Sequence, residues 1–245
     1  MPLAKISKES EQYIVPRILT RYAPGKMQNA KSNDITLNTD NLFSVNRMSS
    51  DELIEKDFSL NLGLDWFWKE KNLNQTQPSE ASFSVGQVLK FNNDLDMPTK
   101  SSLQNKNSDF ITKATYLSPG NFDFTIKNTL DNNLNHAYYN DVTLKTFLKE
   151  GEVNLNFYEK NSHIGSERYA KANLISFVTD STKIKIETDR NLKTNMTNFH
   201  KLGIENENEC IRYGIYLQKN FASDKDLKPG ASVFFGVTLL PFGDR

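Results

Sequence analysis

Three histidines, one cysteine and a few serines are the side chains in this sequence best suited to chemistry. His136, His163 and His200 lie in Asn-rich turns or on weakly patterned strands. None stands at i, i+2 or i+4 from another histidine or from the cysteine. A zinc site read from sequence needs such spacing to bring its ligands together, so no metal centre is expected. "NSHIGSE" sets Ser162 and Ser166 beside His163, the residue types an outer-membrane serine phospholipase would use. No surrounding motif fixes either serine on the strained elbow that presents a nucleophile. A phosphate-binding loop and a dinucleotide fingerprint are both missing, so no catalytic residue and no cofactor is expected. Cys210 is the sole cysteine. It reads as a small packing residue or, in an oxidising compartment, as a thiol whose partner lies outside the chain.

The elements that would position any site carry more information. The 245 residues hold 30 acidic and 30 basic side chains, and a chain without a basic excess is no general nucleic-acid binder. Mean hydropathy is −0.60, low for a packed globule, yet 16 Phe, 9 Tyr and 2 Trp are too many for a disordered chain. A β-barrel with a wet interior and long loops reconciles the two, because half of each strand is then polar. No run approaches the roughly 18 apolar residues of a membrane helix, which leaves β-spanning open. The start, "MPLAKISKESEQY", lacks the apolar core of a secretory signal. Alone it points to the cytoplasm; beside the rest of the chain it suggests that Met1 is not the true start.

Period-two alternation, which puts every second side chain on one face of a strand, recurs along the chain. In "DFSLNLGLDWFWKE", Phe58, Leu60, Leu62, Leu64, Trp66 and Trp68 share one face, and Ser59, Asn61, Gly63 and Asp65 the other. Aromatics that finish an apolar face form the girdle of a membrane interface, so Trp66 and Trp68 are candidate interface residues. "NFDFTIKNTL", "EVNLNFYE", "STKIKIETD" and "CIRYGIYLQK" repeat the pattern. Weaker segments at 12–22, 82–91, 109–117, 137–148, 168–178 and 195–204, with the terminal run 232–243, bring the total to about twelve strands. Clusters such as "SPGN", "KEGE" and "VTDST" suit hairpin turns. Longer connections at 23–56, 69–80 and 92–108 suggest the long outer loops and short inner turns of an outer-membrane barrel. A soluble β-sandwich also alternates, but the one-sided Trp/Phe/Leu face of 58–68 favours the membrane.

Several segments, taken together and in order, resemble the LptD (OstA) family of lipopolysaccharide-assembly outer-membrane proteins: "RYAPGKMQN", "DNLFSVNR" and "ENECIRYGIYLQKNFASDKDLKPGASVFFGVTLLPFG". The likeness runs from about Leu3 to Gly243 and is most specific in the last block. It implies an all-β, antiparallel up-and-down transmembrane β-barrel segment of about twelve strands, half of a larger barrel. Residues 1–245 would be the C-terminal portion of that barrel, with 23–56 a long outer loop. The N-terminal jellyroll and first barrel half would lie outside the chain, leaving a curved sheet with two free edges. A loop reading "NRMSSDELIEKDF" departs from the family's glycine-containing turn.

The implied role is lipopolysaccharide transport and assembly, passing the lipid into the outer leaflet of the outer membrane through a lateral gate, with no enzymatic step. The implied partners are an LptE-type lipoprotein plug, an LptA-type periplasmic bridge reached through the missing N-terminal domain, the BAM insertion machinery and lipopolysaccharide itself. The terminal run would be the gate strand, with Val233, Phe235, Val237 and Leu239 on one face and Phe234, Gly236, Thr238 and Leu240 on the other. Pro241 has no N–H to give the ladder, so it either weakens the seam or simply ends the strand; Phe242 would be the aromatic tip of an insertion signal. Cys210 falls where the family has a cysteine that pairs with one in the N-terminal region. The alternatives are a stand-alone twelve-stranded porin or an outer-membrane phospholipase-like enzyme.

Overall fold

A segment that alternates polar and apolar residues can satisfy two different surroundings at once only as a strand, and strands take up most of this chain. The computed structural model describes residues 2–25, 28–48, 53–71, 78–221 and 229–240. Among them are β1 (Leu3–Ile6), β2 (Ser10–Ala23), β3 (Asp57–Glu70), β4 (Glu80–Lys90), β5 (Phe110–Ser118), β6 (Phe122–Leu130) and β7 (Ala137–Leu148). There follow β8 (Gly151–Lys160), β9 (Glu167–Phe177), β10 (Thr182–Asn191), β11 (Met196–Glu207), β12 (Ile211–Asn220) and β13 (Gly230–Leu239). The only helical pieces among the described residues are single 3-10 turns at Thr99–Ser101 and Ser162–Ile164.

The thirteen strands form one sheet in sequence order. The pairs β1–β2 through β4–β5 and β9–β10 through β12–β13 are antiparallel. The fold is therefore all-β and up-and-down, with one strand more than the twelve expected. The addition is β1, four residues with no alternation of their own, held by pairing Leu3 with Ile14 and Ile6 with Glu11. Its hairpin is closed by Ser7, whose Oγ accepts from the N–H of Ser10 at 2.9 Å.

Tight turns at 119–121, 149–150 and 178–181 join β5–β6, β7–β8 and β9–β10, where the sequence put hairpins. The long connections need a correction. In an up-and-down sheet successive connections leave from opposite ends, so 24–56 and 91–109 share one end of the strands and 71–79 lies at the other.

The chain divides into two units. The first comprises Met1–Pro119, Phe124–Val142 and Glu159–Ser166, and its core lies beside the sheet rather than within it. The described parts of connections 24–56 and 91–109 fold over one face of β3–β5. They bury Ala30, Ile35, Leu37, Leu42, Met48, Met97 and Leu103 against Val88 and Ile111. Each large apolar side chain fully buried there adds roughly 1.5–3 kcal/mol. The sheet makes room with two glycines opposite each other on β3 and β4, Gly63 and Gly86. A Cβ on Gly86 would strike the Leu42 side chain and the Leu62 carbonyl, and one on Gly63 would strike the Phe43 ring.

The second unit comprises Gly120–Asp123, Thr143–Tyr158 and Glu167–Arg245. In its strands β9–β13 side chains directly opposite on paired strands share a face, which collects most of the aliphatic residues on one side, while Ile175, Phe177 and Phe234 fall on the other side with the charged groups.

Candidate functional site

β13 carries the candidate gate residues. Val233, Phe235 and Val237 stand opposite Leu217, Ile215 and Tyr213 of β12, and Leu239 opposite Ile211. All four side chains project from one face and are 68%, 69%, 52% and 78% exposed. The rows continue across the unit: Leu174, Ile186, Leu202, Leu217 and Val233 form one line over five strands. Ile184, Ile204, Ile215 and Phe235 form the next line over four. Pro241 and Phe242 lie outside the described residues. The last backbone bond before them runs from Leu240 N–H to the carbonyl of Cys210 at 2.8 Å. Cys210 is exposed, with a free thiol. The fold thus sets the cysteine against the end of the terminal strand, a proximity that 29 residues of intervening sequence conceal.

The opposite face of the second unit is charged. Glu205 is buried, paired with Lys185 Nζ at 2.7 Å, and it accepts a short hydrogen bond from the Tyr216 hydroxyl. Arg212 Nε donates to Glu207 at 2.6 Å, and Lys183 reaches the same oxygen at 3.2 Å. Lys201 Nζ sits 4.8 Å from the centre of the Tyr216 ring. Oppositely charged neighbours let these groups turn away from the apolar face without leaving a charge unmatched.

In the first unit, the face of β3 that carries Phe58, Leu60, Leu62 and Leu64 also carries Trp66 and Trp68, both half-buried. Trp66 is flanked by Ile14 and Phe83, and Trp68 by Gln12 and Ala81. Aromatics close the other end of this face as well: Tyr22 lies opposite Phe58, whose ring stacks on Phe91 at 4.8 Å.

The folded-over connection is pinned by a buried ionic knot. Arg47 grips Glu55 with two nitrogens, Nε to Oε2 at 2.8 Å and Nη2 to Oε1 at 2.6 Å. Arg21 lies 3.1 Å from the same carboxylate and donates to the Glu55 backbone carbonyl at 2.5 Å. Asn61 accepts from Arg47 and donates to the Leu42 carbonyl at 2.7 Å. "DNLFSVNR" thus acquires a physical account. Asn41 ties the turn by donating to Thr36, Leu42 fills the space over Gly86, Phe43 covers Gly63 under the Arg17 guanidinium, and Arg47 locks the whole to Glu55.

The histidines do other work. His163 Nε2 lies 3.0 Å from the buried carboxylate of Asp109, with its ring edge-on to Tyr138. His200 meets Phe221 edge-on at 5.3 Å. The backbone N–H of His136 donates to Asp131 Oδ1 at 3.0 Å, as does that of Asn135 at 2.7 Å. These N–H groups, His136 foremost, hold the Asp131 carboxyl below its ordinary value.

Strands β9–β13 of the second unit and β3 of the first each carry a mainly apolar face, and the comparison with known families fits a membrane β-barrel protein. The family model for LptD, LPS transport system D, matches residues 2–190. The chain belongs to the LptD family. Membership gives it a role in lipopolysaccharide transport and the outer-membrane β-barrel setting of a transport family, not an enzyme family. The match takes in the "RYAPG" and "NLFSVNR" segments and ends within β10, before Cys210 and the terminal strand. No curated protein matches the chain.

Proposed function

We propose that the chain is the C-terminal part of a barrel wall that passes lipopolysaccharide into the outer leaflet, with β13 as one side of a lateral gate. The continuous apolar face of β9–β13, exposed to its last strand, carries this reading. Monomeric soluble proteins rarely expose contiguous apolar patches beyond a few hundred Å², whereas hydrocarbon is the natural neighbour of such a face. The charged face would then line the lumen and meet sugar and phosphate, while the acyl chains travel along the apolar side. Two aromatic ends support the same orientation. Phe58 and Trp66–Trp68 are eight to ten residues apart on β3, roughly 26–34 Å of strand. Tilted by about 40°, that is close to the ~25 Å apolar band of outer-membrane barrels.

On this reading Val233, Phe235, Val237 and Leu239 face lipid at the seam. The exposed Cys210 bonds to a cysteine in a preceding N-terminal region, which with a jellyroll and the first barrel strands completes the protein. An LptE-type plug in the lumen, an LptA-type bridge in the periplasm and the BAM machinery are its partners.

Replacing Phe235 or Phe234 with a photo-crosslinking benzoylphenylalanine tests the gate, since these neighbours face opposite sides. Lipopolysaccharide acyl adducts are expected at 235 and not at 234. Equal adduct yields at both positions, or none at either, would contradict a gate at β13.

A further inference from the structure

On the charged face of the second unit one side chain reaches two neighbouring strands at once. Tyr216 of β12 stands opposite Gly203 of β11 on one side and Phe234 of β13 on the other. Its ring lies along the sheet instead of rising from it. A Cβ on Gly203 would strike ring atoms Cδ1 and Cε1, so that edge of the ring needs a glycine beneath it. At the other edge, a Cβ on Gly236 of β13 would meet Tyr216 Cε2 at 3.4 Å and nothing else within 4 Å. The tip of the ring passes Gly214, which pairs with Gly236; a Cβ there would come within 3.1 Å of the hydroxyl.

The ring is anchored on the side away from β13. Its hydroxyl donates to Glu205 Oε1 of β11, the oxygen that Lys185 of β10 also meets at 2.7 Å. Lys183 faces the second oxygen at 3.7 Å. Lys201 of β11, 4.8 Å from the ring centre, adds a cation–π attraction. Moving the hydroxyl away would strip a buried carboxylate of a donor, which costs more than an exposed bond does. On the β13 side the ring has work to do. Every residue of β13 is exposed except Gly236, the one beside the ring. Gly236–Gly214 and Phe234–Tyr216 are hydrogen-bonded pairs of the ladder, by alternation from the bond between Leu240 and Cys210. Tyr216 thus covers the middle of the β12–β13 ladder from the charged side.

We propose that Tyr216 is a positioning residue for the gate strand: a brace, anchored at Glu205, that holds the middle of β13 to β11 and sets how readily β13 leaves the wall. The proposal rests on the reading of β13 as one side of the gate and adds the group that keeps that side in place.

The test is amide hydrogen exchange of the whole chain folded in liposomes, read by mass spectrometry on peptides from β13 and, as an internal reference, from β9 and β10. Y216A is expected to speed exchange in residues 230–239 about tenfold and to leave residues 167–191 at the wild-type rate. Y216F keeps the ring and loses its anchor, so its exchange in β13 should fall between the two. G203A displaces the ring with the tyrosine still present and should reproduce the Y216A pattern. Y216F decides the matter if the alanine variants do not fold. Equal acceleration in both sets of peptides would make Tyr216 general packing and overturn the brace. Wild-type exchange in β13 of Y216F and of G203A would overturn it as well. The benzoylphenylalanine adduct at position 235 is read in the same variants and should rise with exchange in β13. Adducts that persist while exchange is unchanged would remove the brace and leave the gate. Selective exchange with no adduct in any variant would remove the gate and leave the brace.

Discussion

At the scale of single residues, charge placement separates what holds the chain together from what decorates it. Glu55 is fully buried between Arg47 and Arg21, and removing one partner of such a group leaves uncompensated charge in a dry site. E55Q is expected to cost about 3–5 kcal/mol, seen as a lower denaturant midpoint and faster amide exchange in residues 28–48. Lys100–Asp34 is solvent-exposed, and K100A should leave the midpoint unchanged. Gly86 makes a sharper case, since a methyl group there meets a backbone carbonyl as well as Leu42. G86A should destabilise by about 1–3 kcal/mol through overpacking, and L42A by about 2–5 kcal/mol through the cavity it leaves. Asp131 gives a pH signature. Its folded-state pKa lies below the ordinary 3.8, so its contribution is complete above that pH and fades as the pH falls through the folded value. The stability difference between wild type and D131N should therefore be constant near neutrality and shrink below about pH 3.8, which acid titration of both proteins would show.

At the scale of elements, the proposed orientation of β13 can be tested residue by residue. F235D puts a charge on the apolar face, while T238D adds one to the polar face, where Thr238 pairs with Arg212. The first should reduce the fraction of chain that folds into liposomes, read by heat-modifiable gel migration, and the second should leave it near wild type. Strand alternation was the legible part of the fold. It placed β2 to β13 within a few residues, because each strand meets two different surroundings and the pattern records both. β1 escaped because LAKI has no period and exists through its pairing with β2. The folded-over connections escaped for a different reason. Their apolar residues, among them Ile35, Leu42, Met48, Met97 and Leu103, are spaced irregularly among polar ones, so the segments read as solvated loops. Their burial depends on Gly63, Gly86 and an ion pair to Arg21, 34 residues from Glu55. "NLFSVNR" marked the place through family likeness but not the role, which needs the sheet beneath it.

At the scale of the whole molecule, every functional statement depends on the apolar face being a membrane surface. The family accounts for lipopolysaccharide transport, and the rows from Leu174 to Val233 supply a surface for lipid. Trp66 and Trp68 are the chain's two tryptophans and lie on the apolar face of the first unit, so they report on it without any labelling. The direct measurement is quenching of their fluorescence in liposomes by phospholipids brominated at different depths along the acyl chain. Strong quenching by shallow bromines and weak quenching by deep ones is the expected profile, with little access for aqueous iodide. Iodide quenching as complete as in water, with no effect of bromine at any depth, would contradict the account.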